Sequence, residues 1–579
     1  MPASKPMKLK AARYNAIETR PNPVEKMNST DKTQETELDI QKQEFKMMIC
    51  VIEEAIKQRK EDNNGPFYEL IRQINNSSNI NPNPKKLKIW CLALSRTSHK
   101  FDATCSDLVY TLLNLNWADH DNNLAIAYVM LLTNLVAAYP SCTEAMLEML
   151  VKNFLYKEDK ELEVLEMEKA HGKVHYAIKN LVHRIPQGEK ELFHILYRGF
   201  PHKRESLGAY IVYVKNLLQL IEYTPSLQHK ILTLIFERMI ELDTEVQGQI
   251  DEIEDMEEGL DEFNVGLYST RYSSTDFYKL RPNFEDYDDA NAESLDLDIE
   301  DSAPVVIAVD IANGIQKLDC IIKLVLDYLD YSYKNGTQEQ RMKLTETIFT
   351  IFEKFILYTI KSRYIQFIPF WYFSLDRMYA LRFIKLLLHK LIDDEGKGII
   401  QKAAAQYVAS YIARAKYLYV EDVIYCMRAL TQWATEYVMT HKNIIRIPDE
   451  SKHEKFYLIV QTAMYIFCFR WKNFCEINVG NKKIWSKEAE DLKEIIGSIF
   501  CPLKYCVKNT VKMFSFISKA VGFMTCEEYT HIDNRNYSIL SMEEYFPYDP
   551  FRLKTSQSYL EGLYQVWEGF PEGSNEEEE

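Results

Sequence analysis

Glycine and proline are scarce in this sequence, which contains 18 Gly and 19 Pro among 579 residues. These residues punctuate turns, so their shortage favours long helices joined by short loops over all-β or Rossmann-type folds. Hydrophobic residues make up 46% and aromatics 12% of the chain, a composition that supports folded cores. The length exceeds the roughly 250–300 residues at which a single core stops growing, which predicts several domains or a repeat array.

Sequence motifs of common catalytic and cofactor sites are also missing. The chain contains no Walker A motif, G-x-G-x-x-G, G-x-S-x-G or H-E-x-x-H, so no phosphate cradle, nucleophile elbow or zinc-protease site is indicated. His171 and His175 stand four residues apart and could share one helix face as metal ligands. No third ligand stands in motif register, so two surface histidines are the preferred interpretation. We therefore predict a protein that is not an enzyme and needs no cofactor.

Paired cysteines, a signal peptide and long apolar runs are absent as well. The eleven Cys include no C-x-x-C pair, and the closest spacings are not typical of zinc sites. The first 23 residues lack the apolar core of a secretory signal, and no stretch approaches the ~18 uncharged apolar residues of a membrane span. These features predict a soluble intracellular protein with reduced thiols and no membrane partner.

The net charge of −16 is concentrated in one segment. Residues 244–302 contain 19 Asp or Glu against Arg271, Lys279 and Arg281, which leaves 66 acidic and 66 basic residues elsewhere. Non-specific duplex binding needs a basic face, so we expect no strong direct DNA binding. A protein partner is the better interpretation.

Amphipathic helical segments occupy most of the chain. Between Leu227 and Leu242, apolar residues recur at i, i+3 and i+4 spacing, which predicts one buried helical stripe that begins just after Pro225 in the sequence. Paired helices with a unit length near 40 residues are typical of HEAT-type solenoids, and a compact non-repeat α fold is the alternative. The predicted organisation is a disordered tail (1–38), helical repeats (39–243), a disordered acidic loop (244–303), further repeats (304–525), an extension (526–570) and an acidic tail (571–579).

Two segments rich in aromatic or basic residues admit two interpretations each. The aromatic run 364–375 fits a buried helix junction better than a ligand pocket. Three lysines precede Trp90 in residues 81–90, which could indicate nucleic-acid stacking, but a loop leading into a core helix is commoner.

The stretch "QKAAAQYVASYIARAKYLY" (401–419) is unusually rich in alanine. On a helical wheel, Ala405, Ala409 and Ala413 form a row of small side chains that allows a neighbouring helix to approach closely. Arg414 falls on the opposite side, with Gln406, Tyr407 and Ser410, and is predicted to point away from the core. Lys416 lies nearer the apolar arc.

Three segments carry a resemblance to the RNA polymerase I-specific transcription initiation factor family. Residues 365–441 resemble the family's helical run that contains an "RQAAGNYIGSFLARAKF"-like stretch. Residues 213–243, followed by an acidic loop, give a second similarity. Residues 544–570 resemble the family's FPFDP-containing signature, with matches at Phe546, Pro547, Asp549, Pro550, Leu553, Ser556, Tyr564 and Trp567.

The resemblance implies a HEAT-repeat factor that binds RNA polymerase I in its stalk region and bridges it to promoter-bound core factor at ribosomal DNA. It implies action in the nucleus and nucleolus, and some members of the family form homodimers when off the polymerase. Ser95, Thr97 and Ser98 are the hydroxyls expected to face the polymerase. The element expected to contact promoter-bound factors comprises Ile412, Ala413, Arg414, Ala415 and Lys416. The alternative is a generic HEAT-repeat scaffold or nuclear transport-type adaptor.

Overall fold

The computed structural model describes residues 30–80, 82–155, 164–261, 303–359, 362–392, 398–442, 452–477, 483–526, 546–548, 551 and 553–566. Helices dominate these residues, which confirms the all-α prediction. In chain order the helices are α1 Thr30–Lys60, α2 Gly65–Asn75, α3 Pro84–Thr97, α4 Ser106–Leu113, α5 Asn122–Ala138, α6 Thr143–Lys152, α7 Val164–Val182, α8 Gly188–Arg198, α9 Leu207–Ile221, α10 Gln228–Asp261, α11 Ala303–Asn335, α12 Gln338–Lys354, α13 Phe367–Ser374, α14 Arg377–Ile392, α15 Gly398–Arg414, α16 Val420–His441, α17 Glu454–Arg470, α18 Lys487–Ile496, α19 Pro502–Tyr505 and α20 Lys508–Ala520. Two strands, β1 Cys475–Ile477 and β2 Lys483–Trp485, form one antiparallel pair.

The chain divides into two compact units, and the first comprises Met1–Met146. In this unit α3 packs against both α1 and α5. The start of α3 follows from its sequence, because Asn83 caps it by accepting a hydrogen bond from the Lys86 backbone N–H and Pro84 stands at the first helical position. Trp90 is buried, which confirms that residues 81–90 lead into a core helix.

The second unit comprises Leu147–Glu579 and consists of helices that pack on their neighbours as in a helical solenoid. Helix α11 packs against α9 and α10, α14 against α15, α15 against α17, and α17 against α16 and α20. The boundary at residue 146 differs from the predicted division at the acidic segment, which lies within the second unit.

Helix α10 extends further than the sequence pattern predicted. The predicted stripe from Leu227 to Leu242 is buried, and it continues through Val246 and Ile250, which are 3% and 7% exposed. The helix therefore runs through Asp261, into the segment predicted as a loop. The remainder of that segment, residues 262–302, lies outside the described residues.

The aromatic run around Pro369 forms α13, and residues 367–373 are all buried. This confirms a buried junction between helices. No described helix has both the length and the apolar character needed to cross a membrane.

Candidate interaction surfaces

The alanine-rich helix α15 packs closely against α17. Ala409 and Ala413 form a buried cluster with Tyr465, and Phe469 packs against it. Ala409 and Ala413 of the predicted row therefore face a neighbouring helix, as expected, and Ala405 is also buried.

A second layer covers the opposite side of α15. We call the described residues between 546 and 566 the C-terminal strap. The Tyr548 N–H donates to Ser410 Oγ at 2.9 Å, and Gln565 N and Lys416 N donate to the carbonyls of Arg414 and Leu563 at 2.7 and 2.9 Å. The strap thus runs beside the end of α15 as a short antiparallel bridge.

Arg414 lies beneath this strap, so the prediction that it points away from the core is wrong. Its side chain is 8% exposed. The guanidinium lies over the rings of Phe469 and Tyr564, at 4.6 and 5.4 Å from their centroids, and Nη1 donates to the Gln565 carbonyl at 3.4 Å. The helical wheel failed because the covering chain comes from about 150 residues further along the sequence.

The other members of the 412–416 element separate into buried and exposed positions. Ile412, Ala413 and Ala415 are all fully buried. Arg470 caps this end of α15, because its guanidinium donates to the carbonyls of Ile412 and Ala415. Burial lowers the pKa of Arg470 to about 10, so it stays cationic at neutral pH. Lys416 is exposed, although the wheel placed it nearer the apolar arc.

The strap is anchored at a second place by a buried carboxylate. Asp319 on α11 accepts hydrogen bonds from the backbone N–H groups of Thr555 and Ser556 at 2.8 and 2.9 Å and from the Ser556 hydroxyl. Both Asp319 and Ser556 are fully buried. The sequence signal for this anchor is an aspartate at a core position, four residues after Ile315 on an apolar helical stripe, and sequence analysis missed it.

The signature residues of the family resemblance therefore belong largely to this strap. Phe546, Pro547, Leu553, Ser556 and Tyr564 lie in it, and the Pro547 carbonyl accepts a hydrogen bond from Gln366. Asp549, Pro550 and Trp567 lie outside the described residues.

In the first unit, the three hydroxyls expected to face the polymerase are buried. Ser95, Thr97 and Ser98 are 4%, 0% and 5% exposed. Thr97 and Ser98 donate to carbonyls of the preceding helical turn, and Ser95 Oγ accepts a hydrogen bond from Asn134 of α5 at 2.7 Å. Their polymerase contact stays a prediction, but these side chains present almost no surface to a partner.

The surface over these hydroxyls is cationic and apolar. Ile126 and Met130 on α5 are 55% and 52% exposed, and α5 contains no charged residue. Arg96 on α3 is exposed and makes no ion pair among the described residues. Residues 70–101 contain six Lys or Arg and no Asp or Glu, and two of these cations, Arg72 and Lys100, pair with Glu69 and Glu53. The exposed Arg96 and the exposed apolar side chains of α5 suit a partner that offers an acidic and an apolar group.

The histidine pair proved to be buried, so the surface interpretation was wrong. His171 and His175 are 9% and 4% exposed. The ring nitrogens of His175 lie 2.8 Å from the Tyr223 hydroxyl and 3.1 Å from Asn216 Oδ1, and burial lowers its pKa to about 4. Within the described ranges, no three His, Cys, Asp or Glu side chains are grouped as metal ligands would be.

Comparisons with known proteins agree across most of the chain. The family model for "RNA polymerase I specific transcription initiation factor RRN3" matches residues 41–572. A relative from Schizosaccharomyces pombe, named RNA polymerase I-specific transcription initiation factor rrn3, is 28% identical over 92% of this chain and 88% of its own. A Mus musculus relative, RNA polymerase I-specific transcription initiation factor RRN3, is 26% identical over 91% and 81%. A crystal structure of RNA Polymerase I Transcription Initiation Factor Rrn3 has the same fold, with TM-score 0.71, 22% identity, and coverage of 90% of this chain and 99% of that one.

Proposed function

Because the chain belongs to the RNA polymerase I-specific transcription initiation factor RRN3 family, we propose that it is an initiation factor that binds RNA polymerase I. It bridges the polymerase stalk region to promoter-bound core factor at ribosomal DNA. The match of the family model to residues 41–572, which includes most of both compact units, carries this proposal. The role is non-catalytic, its place of action is the nucleus and its nucleolus, and the free factor is a homodimer.

The polymerase-binding surface is assigned to the exposed residues that cover Ser95, Thr97 and Ser98. Arg96 supplies an unpaired cation, and Met130 belongs to the helix that packs on Ser95, because the Ser95 hydroxyl donates to the Met130 backbone carbonyl at 3.5 Å. Since binding energy concentrates in a few residues that become desolvated, Arg96 and Met130 are the candidates for the main contacts.

The surface for promoter-bound factor is assigned to the end of α15. Of residues 412–416, Lys416 alone is exposed. Tyr419 and the strap residue Val566, which are 53% and 67% exposed, lie on the adjoining turns. This surface combines a cation with apolar groups, and its Val566 part is present only while the strap is in place.

Affinity purification from nuclear extract tests the function. RNA polymerase I subunits should co-purify with the tagged chain and RNA polymerase II subunits should not. A failure to enrich polymerase I would overturn the proposal.

Two charge reversals test the surfaces and control each other. Arg96→Glu should lower recovery of polymerase I by about tenfold, as expected for loss of one main contact, and leave binding of promoter factor intact. Lys416→Glu should have the opposite pattern. If both variants retain both partners, the two assignments are wrong even though the family function stands.

A further inference from the structure

One segment of the second unit contains only positive charge. Residues 497–526 contain Lys504, Lys508, Lys512 and Lys519 and no Asp or Glu. All four lysines are exposed. Outside the acidic segment the chain is balanced in charge, so thirty residues with four cations and no anion form a distinct electropositive region.

Three of these lysines lie along one line of α20. At 100° per residue, Lys508, Lys512 and Lys519 fall within about 40° of one another and span about 16 Å of helix. Phe514 and Ile517 lie on the other side of the helix and are buried. We call the three lysines the lysine stripe; it faces solvent along the length of α20.

The two lysines in the N-terminal half of the stripe keep their charge unpaired. Lys508 and Lys512 make no ion pair with any described residue. The neighbouring helix α17 has Glu454 at its start as its one acidic residue. The first turn of α20 has neither an acidic residue nor a side-chain cap. The partial positive charge of a helix N-terminus favours an anion. This end of the stripe therefore attracts a negatively charged partner through both the Lys508 side chain and the N-terminus of α20.

The residues after the strap have the complementary charge. Residues 567–579, "WEGFPEGSNEEEE", contain six Glu and no Lys or Arg. They follow directly on Val566 and lie outside the described residues. From here on, we use the name acidic tail for all thirteen of these residues, which are the predicted tail (571–579) and the four residues before it.

The acidic tail also begins close enough to reach the stripe. Gln565 is bonded to the Arg414 carbonyl at the end of α15, α15 packs on α17, and α17 packs on α20. Neighbouring helices lie 8–10 Å apart, so the tail starts within about 20 Å of α20. Thirteen extended residues reach up to about 45 Å, which is more than twice that separation.

We propose that the acidic tail docks on the lysine stripe of the same chain. Each exposed ion pair is weak, so the contact depends on several glutamates acting together and on ionic strength. The docked tail shields the stripe from other anions, which makes it a competitor for any anionic partner that approaches this segment.

Lysine acetylation footprinting of the full chain tests the contact without altering the folded units. The variant replaces all six tail glutamates by glutamine: Glu568→Gln, Glu572→Gln, and the same change at Glu576, Glu577, Glu578 and Glu579. Acetylation rates are measured by mass spectrometry at the stripe. Lys334 and Lys343, which pair with Asp330 and Glu339 within their own helices, serve as internal controls.

In the neutral-tail variant, acetylation of Lys508 and Lys512 should become about threefold faster at low salt, and the control lysines should not change. The difference between the two proteins should vanish at about 1 M salt, where the Debye length is ~3 Å, and should not depend on protein concentration. Equal rates at the stripe in both proteins at low salt would overturn the proposal. So would protection that appears only when duplex DNA is added, or protection of control and stripe lysines alike.

Discussion

Arg414 and Lys416 stand two residues apart and carry the same charge, but the structure predicts opposite consequences for their reversal. In Arg414→Glu a carboxylate replaces a guanidinium that lies between the rings of Phe469 and Tyr564 and is 8% exposed. Loss of the two cation–π contacts costs about 0.5–2 kcal/mol each, and a buried charge without a partner brings the expected destabilisation to about 3–5 kcal/mol. Lys416 is exposed, so Lys416→Glu should change the free energy of unfolding by less than about 0.5 kcal/mol.

Urea unfolding of the full chain, followed by circular dichroism, measures the difference. With an m-value of about 3 kcal/mol/M, a loss of 4 kcal/mol moves the midpoint by about 1 M. Arg414→Met separates charge from packing. A methionine keeps apolar contact with the two rings, so this variant should lose less stability than Arg414→Glu.

One result would refute this reasoning. If Arg414→Glu and Lys416→Glu unfold at the same urea concentration as the wild type, Arg414 is not buried beneath the strap. The helical-wheel assignment of Arg414 as the exposed contact residue would then be restored. A stable Arg414→Glu protein that fails to bind promoter factor would support that assignment directly.

Two further predictions concern buried groups of the second unit. Burial raises the pKa of Asp243 to about 6, so between about pH 4 and 6 its carboxyl is protonated in the folded protein and ionised in the unfolded one. The free energy of unfolding should therefore fall by on the order of 2–3 kcal/mol as pH rises through this range. This fall should be missing from the pH–stability profile of Asp243→Asn. Tyr548 is fully buried, so Tyr548→Ala should cost about 3–5 kcal/mol in thermal or urea unfolding, whereas the exposed control Ser558→Ala should unfold like the wild type.

The helical architecture could be predicted from the sequence because it depends on local periodicity. The apolar stripe from Leu227 to Leu242 specifies a buried helix face whatever lies against it. The aromatic run of α13 was likewise predicted as a junction, because six large apolar residues around one proline have few alternatives to burial.

The faces of α15 could not be predicted in the same way, because a helical wheel records one helix and not what later chain covers it. Tyr407, Ser410 and Arg414 have polar atoms that suggested a solvent face, and all three are buried. The hydroxyls of Thr97 and Ser98 misled for a related reason. A hydroxyl in a helix can bond to a carbonyl of the preceding turn, so its presence does not indicate exposure.

Two buried aspartates show how the second unit fixes segments that lie far apart in sequence. Asp243 on α10 accepts three backbone N–H groups from residues 363–365, which lead into α13, and Asp319 on α11 accepts two from the strap. Apolar contacts tolerate small shifts in register, whereas a carboxylate bonded to consecutive N–H groups does not. The aromatic side chains therefore supply most of the burial of the strap, and the aspartates fix its position. If the end of α15 binds promoter factor as proposed, the strap residues of the family resemblance act on that binding indirectly. They hold Val566 beside Lys416, so loss of the Asp319 anchor should weaken binding of promoter factor without altering any residue that touches it.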